Sequence, residues 1–505
     1  MNVGEILKEL GLLFGKENIF TDSQTLREKS LDLWPRNLFL QKKNFPAASV
    51  VVRPARNFNE QLKNLVGLAD QFGQKIITRG GGSGVCGAAN CQGGEIVIDM
   101  SRLCRVAVMT GPKKDQDGLV LAEAGVYGSK LENTLRPLGL THGHYPASLA
   151  ISTVGGWTQT RSSGHYSCYL GNIESLVMAI EGVNGKGELL CLEGEGLEKT
   201  FRMEGASLIT TQVWLKTFKI PANDFFQTFK FTNLDDLVAF LRGLTEIRKQ
   251  LDERGVKLLA VRAYDLIDYK FMSKPYKGDS HKPAWLERTN YFVEKRLCGL
   301  GGTIEWATDI LERRGALSWV VVVYFASDFA SELITAKEII EKEARLYSGE
   351  SLGPSIAHSW YTNRFKLDYE KLVRRFRAGI TVDTFECSPK WDKLAEVYRK
   401  VRHRLFEFGM VGAHIGLDLD RPYIYFIFGI PGRKRERYDE AWQDILFECI
   451  KNGVNLTHHH GIGKSKAGRE NILVPYCYGR EWFDRACSYK KELDPHNILN
   501  PGNIF

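Results

Sequence analysis

Five of the nine residues in Arg79-Gly80-Gly81-Gly82-Ser83-Gly84-Val85-Cys86-Gly87 are glycine, and they directly follow the strand-like run Lys75-Ile76-Ile77-Thr78. Backbone this bare can turn successive N–H groups towards one anion, which is how proteins cradle a pyrophosphate. Gly82-x-Gly84-x-x-Gly87 also satisfies the spacing of a Rossmann turn, but that fingerprint needs a helix next. Here the chain passes through Ala88-Ala89-Asn90-Cys91-Gln92-Gly93-Gly94 into Glu95-Ile96-Val97-Ile98-Asp99-Met100, which alternates like a strand. The predicted unit is therefore strand, glycine loop, strand. Glycines also serve ordinary turns, so spacing alone leaves both readings open.

A second cluster of glycines and hydroxyls strengthens the dinucleotide reading. It runs from Pro146-Ala147-Ser148 through Ser152-Thr153-Val154-Gly155-Gly156-Trp157-Thr158-Gln159-Thr160-Arg161-Ser162-Ser163-Gly164 to Tyr169-Leu170-Gly171-Asn172-Ile173-Glu174. Small residues let backbone approach a flat ring, and hydroxyls and N–H groups can pair with the acceptors along a flavin edge. Ile209 follows, where Gly205-Ala206-Ser207-Leu208-Ile209-Thr210 passes from glycine into a strand.

Near the other end stands His458-His459-His460, before Gly461-Ile462-Gly463-Lys464. A metal site is one reading, yet no nearby Cys or carboxylate pair completes a ligand set. Imidazoles also move protons near neutral pH, which favours an active-site role beside a cofactor. In Tyr423-Ile424-Tyr425-Phe426-Ile427-Phe428 the alternation predicts a buried strand. Arg262 and Arg364 sit among apolar and aromatic neighbours, where a guanidinium needs an anionic partner, a protein carboxylate or a substrate phosphate.

With 505 residues, 43% hydrophobic and 25% charged, the chain is long enough for two or three globular domains. Its formal charge of +8 suits an anionic ligand or contact with an acidic membrane surface, but is too diffuse for nucleic-acid binding. Ten scattered cysteines, without a C-x-x-C pair, predict reduced thiols and a cytoplasmic setting. No apolar run approaches the ~18 residues a membrane span needs.

Residues 1–45 read as a peripheral helical segment. Residues 46–221 alternate short strands with helices and glycine turns, and residues 222–452 carry long amphipathic helices between strands. Residues 453–505 turn loop-rich again. The predicted fold class is α+β, with the 222–452 domain an antiparallel sheet covered by helices.

Taken in order, Gly143-His144-Tyr145-Pro146-Ala147-Ser148, Ser152-Thr153-Val154-Gly155-Gly156-Trp157, Thr160-Arg161-Ser162-Ser163-Gly164 and Thr457-His458-His459-His460-Gly461-Ile462-Gly463-Lys464 carry a family resemblance. The chain resembles the FAD-binding flavoproteins of the vanillyl-alcohol oxidase (PCMH) type, and among them the alkyl-dihydroxyacetonephosphate synthases of ether-lipid synthesis. The resemblance implies a two-domain fold, with an FAD-binding domain over 46–221, a cap over 222–452 and a C-terminal segment returning to the flavin. It implies FAD held without a covalent bond by Arg79, Gly80, Gly81, Gly82, Ser83, Gly84, Pro146, Ser148, Ser152, Thr153, Gly155, Gly156, Trp157, Thr160, Ser162, Ser163, Gly164 and Ile209. Tyr425 would be the acid/base group, His458, His459 and His460 would line flavin and substrate, and Arg262 and Arg364 would bind substrate.

The implied reaction replaces the acyl group of acyl-dihydroxyacetonephosphate by a fatty alcohol through a flavin N5 adduct. The tail Asn500-Pro501-Gly502-Asn503-Ile504-Phe505 is instead similar to FAD-linked D-lactate and glycolate dehydrogenases, so a 2-hydroxy acid dehydrogenase is the alternative. The expected partner is a small-molecule or lipid-phosphate substrate, not a resident metal or a nucleic acid. Peripheral membrane contact and a homodimer stay open.

Overall fold

The computed structural model describes residues 3–40, 46–55, 57–111, 118–269, 293–313, 318–366, 369–467 and 471–505. Of the charge-rich region Lys270 to Arg296, whose sequence does not match the lipid-shielding segments of the ether-lipid enzymes, residues 270–292 lie outside them. The chain forms two compact units. One holds Met1–Gly164, Asn172–Ile220 and His459–Phe505, the other His165–Gly171 and Pro221–His458.

The first unit contains two sheets. In the smaller one, β1 (Ile19–Phe20), β2 (Val50–Val52), β3 (Ile76–Arg79) and β4 (Ile96–Asp99) lie in the order β1-β2-β4-β3. Strands β3 and β4 run parallel although no helix separates them, so the glycine loop itself makes the crossover that a helix usually supplies. Neighbouring segments hold the loop in place: Leu33 N–H donates to the Gly84 carbonyl at 2.9 Å and Cys91 N–H to the Ser30 carbonyl at 2.8 Å. The second sheet is antiparallel, with β5 (Val106–Thr110), β6 (Gly118–Glu123), β10 (Leu208–Lys219), β8 (Val177–Asn184) and β9 (Leu189–Glu193) in that order and β7 (Leu140–Thr141) on β10.

The N-terminal helix Val3–Phe14 is less peripheral than its sequence suggests. Its Ile6, Leu10 and Phe14 enter the core beside Val50, Leu62, Leu65, Ile76 and Ile96, because their spacing places them on one helical face. Ile498 and Leu499 from the far end of the chain join the same core. There Ile76 N–H donates to the Ile498 carbonyl at 2.9 Å, and Asn500 N–H to the Ile76 carbonyl at 2.8 Å. The buried Asp494 carboxylate shapes this return by accepting from the Ile498 and Leu499 N–H groups and from Lys490.

The second unit is built on one antiparallel sheet of seven strands: β14 (Glu350–Gly353), β11 (Asn223–Phe231), β13 (Trp319–Ser327), β12 (Val256–Tyr264), β16 (Met410–Asp418), β17 (Arg421–Pro431) and β15 (Ile380–Cys387). Alternation along each strand sorts its two faces. Phe229, Phe231, Trp319, Phe385 and Phe426 point to one face and are packed by Phe240, Tyr398 and Trp442 from the helices Leu234–Glu253, Leu394–Phe406 and Tyr438–Lys451. The opposite face carries Arg262, Tyr264, His414, Tyr423, Tyr425 and Glu386. None of the described helices is long and apolar enough to cross a membrane.

Candidate functional sites

In the first unit the two glycine-rich segments meet. A Cβ on Gly81 would run into the Ile151 carbonyl, and one on Gly80 into the Thr153 hydroxyl. Gly82 adopts φ +67°, a left-handed conformation that glycine alone takes without strain. Below it, Arg79 sends its guanidinium to the Glu28 and Leu31 carbonyls at 3.0 and 2.9 Å, so this arginine braces the loop. The second segment is not all loop: Val154–Thr160 forms a short helix with Thr153 at its N-cap. The Ser152 hydroxyl accepts from Trp157 Nε1 at 2.8 Å. Ser148 and Pro146 form the preceding turn through their carbonyls, and the Ile209 side chain lies in the hydrophobic core.

These residues fit a bound flavin dinucleotide. Among the described residues the buried Thr153 Oγ1 and His144 Nδ1 have no hydrogen-bond partner, and both lie against glycines of the second segment, Gly156 and Gly164 respectively. A surface stripped of side chains and edged with orphaned polar atoms suits a flat, acceptor-rich ligand. Its floor is neutral and aromatic. His142 and His144 pack on Trp157 with ring centroids 5.4 and 4.9 Å away, and burial pushes His142 down to about 4 and His144 well below its usual range.

The C-terminal turn reaches both segments. Gly463 packs against the Cys86 carbonyl of the first loop, and Gly461 lies beside Thr160 of the second. Lys464 fastens the first loop by donating to the carbonyls of Asn90 (2.7 Å) and Gly87 (3.3 Å). His459 and His460, edge to face at 4.5 Å, directly precede this turn. The anchor is Glu204, a buried residue that no sequence motif singles out. Its carboxylate accepts the N–H groups of Ile462 and Gly463, the latter at 3.0 Å. Its backbone sits at φ +50°, unusual for a side-chain-bearing residue, where Gln159 and Asn500 hold it.

Burial raises Glu204 to about 7, against the pull of its N–H donors and of Lys466 and Lys464. A carboxyl raised above its ordinary 4.5 keeps a proton in the folded chain that the unfolded chain has released. Its contribution to stability is therefore complete below about pH 4.5 and lost as pH rises through about 7. Glu204→Gln should flatten the pH dependence of unfolding free energy across this window, by an amount of order 3 kcal/mol at most. Urea unfolding at a series of pH values measures this, and an unchanged slope counts against the buried proton. Asp32 and Asp265 are also raised by burial, to about 6, so the comparison is with wild type and not with zero slope.

In the second unit the polar sheet face assembles in two rows. Arg262, Gly416 and Tyr423 are cross-strand partners, as are Tyr264, His414, Tyr425 and Glu386. The Arg262 guanidinium passes over Gly416 to Tyr423, its Cζ 5.1 Å from the ring centroid. Tyr423 stacks on His458 at 4.3 Å, and His458 Nε2 lies 3.3 Å from Asp418 Oδ2. Glu386 fixes this end of the histidine triplet by accepting from the Thr457 hydroxyl (2.8 Å) and the His458 N–H (3.1 Å). The triplet is thus divided: His458 belongs to the second unit, His459 and His460 to the first.

Tyr425 lies face to face with His414, and burial pushes its hydroxyl well above the usual phenol range despite a hydrogen bond with Thr384. Arg364 does not join the Arg262 row. It ends the helix Ser355–Asn363, with its Cζ 3.6 Å from the Tyr361 ring centroid and 4.4 Å from that of Phe365. That helix packs on the same sheet face, since Trp360 and Ala357 cluster with Tyr264 and Val322. Asp268, His414 and Asp418 give no signal in sequence because only partners distant in the chain, His414 for Asp268 and His458 for Asp418, give them meaning. Among the described residues no group of three or more His, Cys, Asp or Glu is placed to hold a metal ion.

Comparison with known proteins agrees with the cradle. The "FAD binding domain" family model matches residues 48–193, and "FAD linked oxidases, C-terminal domain" matches 321–504. The alkyldihydroxyacetonephosphate synthase of Dictyostelium discoideum is 27% identical over 491 residues, covering 92% of this chain and 74% of its own. The D-lactate dehydrogenase of Archaeoglobus fulgidus is 22% identical, covering 90% of this chain and 91% of its own. A solved alkyldihydroxyacetonephosphate synthase structure superposes with a TM-score of 0.71 at 21% identity, over 99% of this chain and 84% of that one. With two bare segments edged by orphaned polar atoms and both halves of an FAD-linked enzyme matched, the chain belongs to the PCMH-type flavoproteins, has FAD as its cofactor and is related to the alkyldihydroxyacetonephosphate synthases.

Proposed function

We propose that this flavoenzyme exchanges the acyl group of acyl-dihydroxyacetonephosphate, or a close phosphate ester, for a fatty alcohol. The observation that carries the reading is the clasp in which Glu204 draws the turn after His459 and His460 against both glycine segments. A redox enzyme and a transferase of this family both need the cradle; the resemblance carried by the histidine triplet and its G-x-G-K turn favours the transferase. Bound FAD supplies an electron-rich ring at which carbon–oxygen exchange can proceed without net oxidation.

The chain's own residues do the rest in this reading. The glycine backbone N–H groups receive the pyrophosphate, and Thr153 and His144 offer polar atoms to the ring edge. Tyr425, kept protonated by burial, donates to the substrate oxygen that gains charge. Arg262 and Arg364, both seated against aromatic rings, bring positive charge for the substrate phosphate. His458 is oriented by Asp418, while His459 and His460 line the cofactor side.

The alternative, oxidation of a 2-hydroxy acid, is favoured by the D-lactate dehydrogenase relative, which this chain matches along nearly its whole length. One experiment separates the two. FAD-loaded protein is mixed with acyl-dihydroxyacetonephosphate and hexadecanol, and separately with a panel of 2-hydroxy acids and an artificial electron acceptor. Alkyl product formed without an acceptor is the expected result. Bleaching of the flavin by a hydroxy acid, with acceptor reduced in turnover, overturns the transferase in favour of the dehydrogenase.

A further inference from the structure

His414 and Tyr425 are directly opposed on neighbouring antiparallel strands, and their rings lie nearly parallel, 4.8 Å apart at 11°. Opposed residues project to the same face of a sheet, so both rings emerge from it side by side. The imidazole is anchored from behind. Its Nδ1 lies 2.7 Å from Asp268 Oδ2, and the Asp268 side chain has no exposed surface. Asp268 is itself fixed, since its N–H donates to Asp265 Oδ1 at 2.7 Å. The other oxygen of Asp265 accepts from the Ala413 N–H (2.9 Å) and the Tyr398 hydroxyl (3.0 Å), which ties this turn to the strand bearing His414.

A carboxylate on Nδ1 selects one tautomer, holds the ring in place, stabilises the imidazolium and leaves proton exchange to Nε2. The His414 side chain keeps 15% of its surface exposed while Asp268 keeps none, so the imidazole is the member of the pair that a substrate can reach. The titratable groups facing it are Asp268 from the turn after β12, Tyr264 from β12 at a ring distance of 5.2 Å, and Tyr425 from β17.

We propose that Asp268 and His414 form a proton-transfer dyad, His414 acting as a second catalytic residue beside Tyr425 and Asp268 as its positioning residue. This rests on the reading of the polar sheet face as the reacting face. Exchange of an ester for an ether needs a proton removed from the incoming alcohol, and a buried phenol that holds its own proton suits only hydrogen-bond donation to the substrate oxygen that gains charge. The O–H proton of the incoming alcohol passes to Nε2, and the alcohol oxygen takes its electron pair into the new bond to the glycerone carbon. The carboxylate departs with the electron pair of the old C–O bond. The imidazolium then returns its proton to solvent.

The test uses full-length, FAD-loaded protein and three variants, His414→Asn, Asp268→Asn and Tyr425→Phe, in both assays described above. His414→Asn should lower kcat by about 100-fold with FAD content and KM near wild type. Asp268→Asn should lower kcat with KM near wild type, because an imidazole without its carboxylate is no longer held in the tautomer that leaves Nε2 free to take the proton. Wild-type kcat and pH profile in His414→Asn, with Tyr425→Phe impaired, overturns the dyad and spares the tyrosine. Impairment of His414→Asn alone supports the dyad and removes Tyr425 from the chemistry. A readout free of turnover is histidine 15N NMR: the ring resonances missing from His414→Asn must show the proton on Nδ1 in the wild type, and Asp268→Asn must shift that tautomer. A resonance indifferent to Asp268→Asn overturns the proposal even where neither assay shows product.

Discussion

Tyr425→Phe is expected to keep its FAD while losing turnover by about 100-fold or more, the usual cost of removing a general acid. The ring that stacks on His414 remains in the variant, so packing is preserved. What disappears is one hydroxyl and its hydrogen bond with Thr384, a stability change of about 1 kcal/mol. Such a change is too small to unfold a unit of this size, so lost activity can be read as lost chemistry. The measurements are the ratio of flavin to protein absorbance and kcat in whichever of the two assays shows turnover. Undiminished kcat would return Tyr425 to the role of a packing residue whose hydroxyl is merely satisfied.

Gly81→Ala should have the opposite signature, a failure to load flavin. The added methyl has no space, because the Ile151 carbonyl occupies its position, and main chain cannot rotate aside as a side chain can. Relief requires the two glycine segments to part. Overpacking of this kind costs about 1–3 kcal/mol, enough to weaken FAD binding by about 100-fold. Gly67→Ala is the control, since Gly67 lies in the helix Phe58–Gln71 and nothing stands within 4 Å of where its methyl would go. Equilibrium titration of the apoprotein with FAD, followed by flavin fluorescence, gives both affinities. Equal affinities would mean that contact between these segments is irrelevant to the cofactor.

Much of the architecture is legible in the sequence because its causes are local. The long amphipathic helices expected within 222–452 occur, Tyr438–Lys451 among them, since apolar residues recur there at helical spacing. The strand expected over Tyr423 to Phe428 is real and runs further, as Arg421–Pro431, because a paired neighbour extends a strand beyond what its own alternation suggests. The missing helix after Gly87 is readable too, although the parallel pairing of the strands on either side is not. The glycines of Val154–Thr160 suggest a loop, yet the segment is helical: the Val154 and Gly155 N–H groups at its start donate to Val126 and Ala124, and burial of Trp157 outweighs a weak intrinsic preference.

The histidine triplet shows where sequence runs out. Adjacent residues invite a single role, but Asp418 and Tyr423 claim His458 while the turn held by Glu204 follows His459 and His460. Glu204 lies more than 250 residues before its N–H donors, and Asp268 lies 146 residues before His414.

By itself, the amino-acid sequence determined the conformational vocabulary of this protein: bare loops where glycine clusters, strands where residues alternate, helices where apolar positions recur, and a recognisable FAD-binding family. Those properties depend on neighbours within a few residues, and a linear reading contains them. Folding in three dimensions was needed to set which carboxylate holds which turn, which face of the large sheet stays polar, and which imidazole stands beside Tyr425. Such pairings join segments far apart in the chain, and they are selected by burial, which makes an unmatched charge or hydrogen-bonding group costly wherever the fold encloses it.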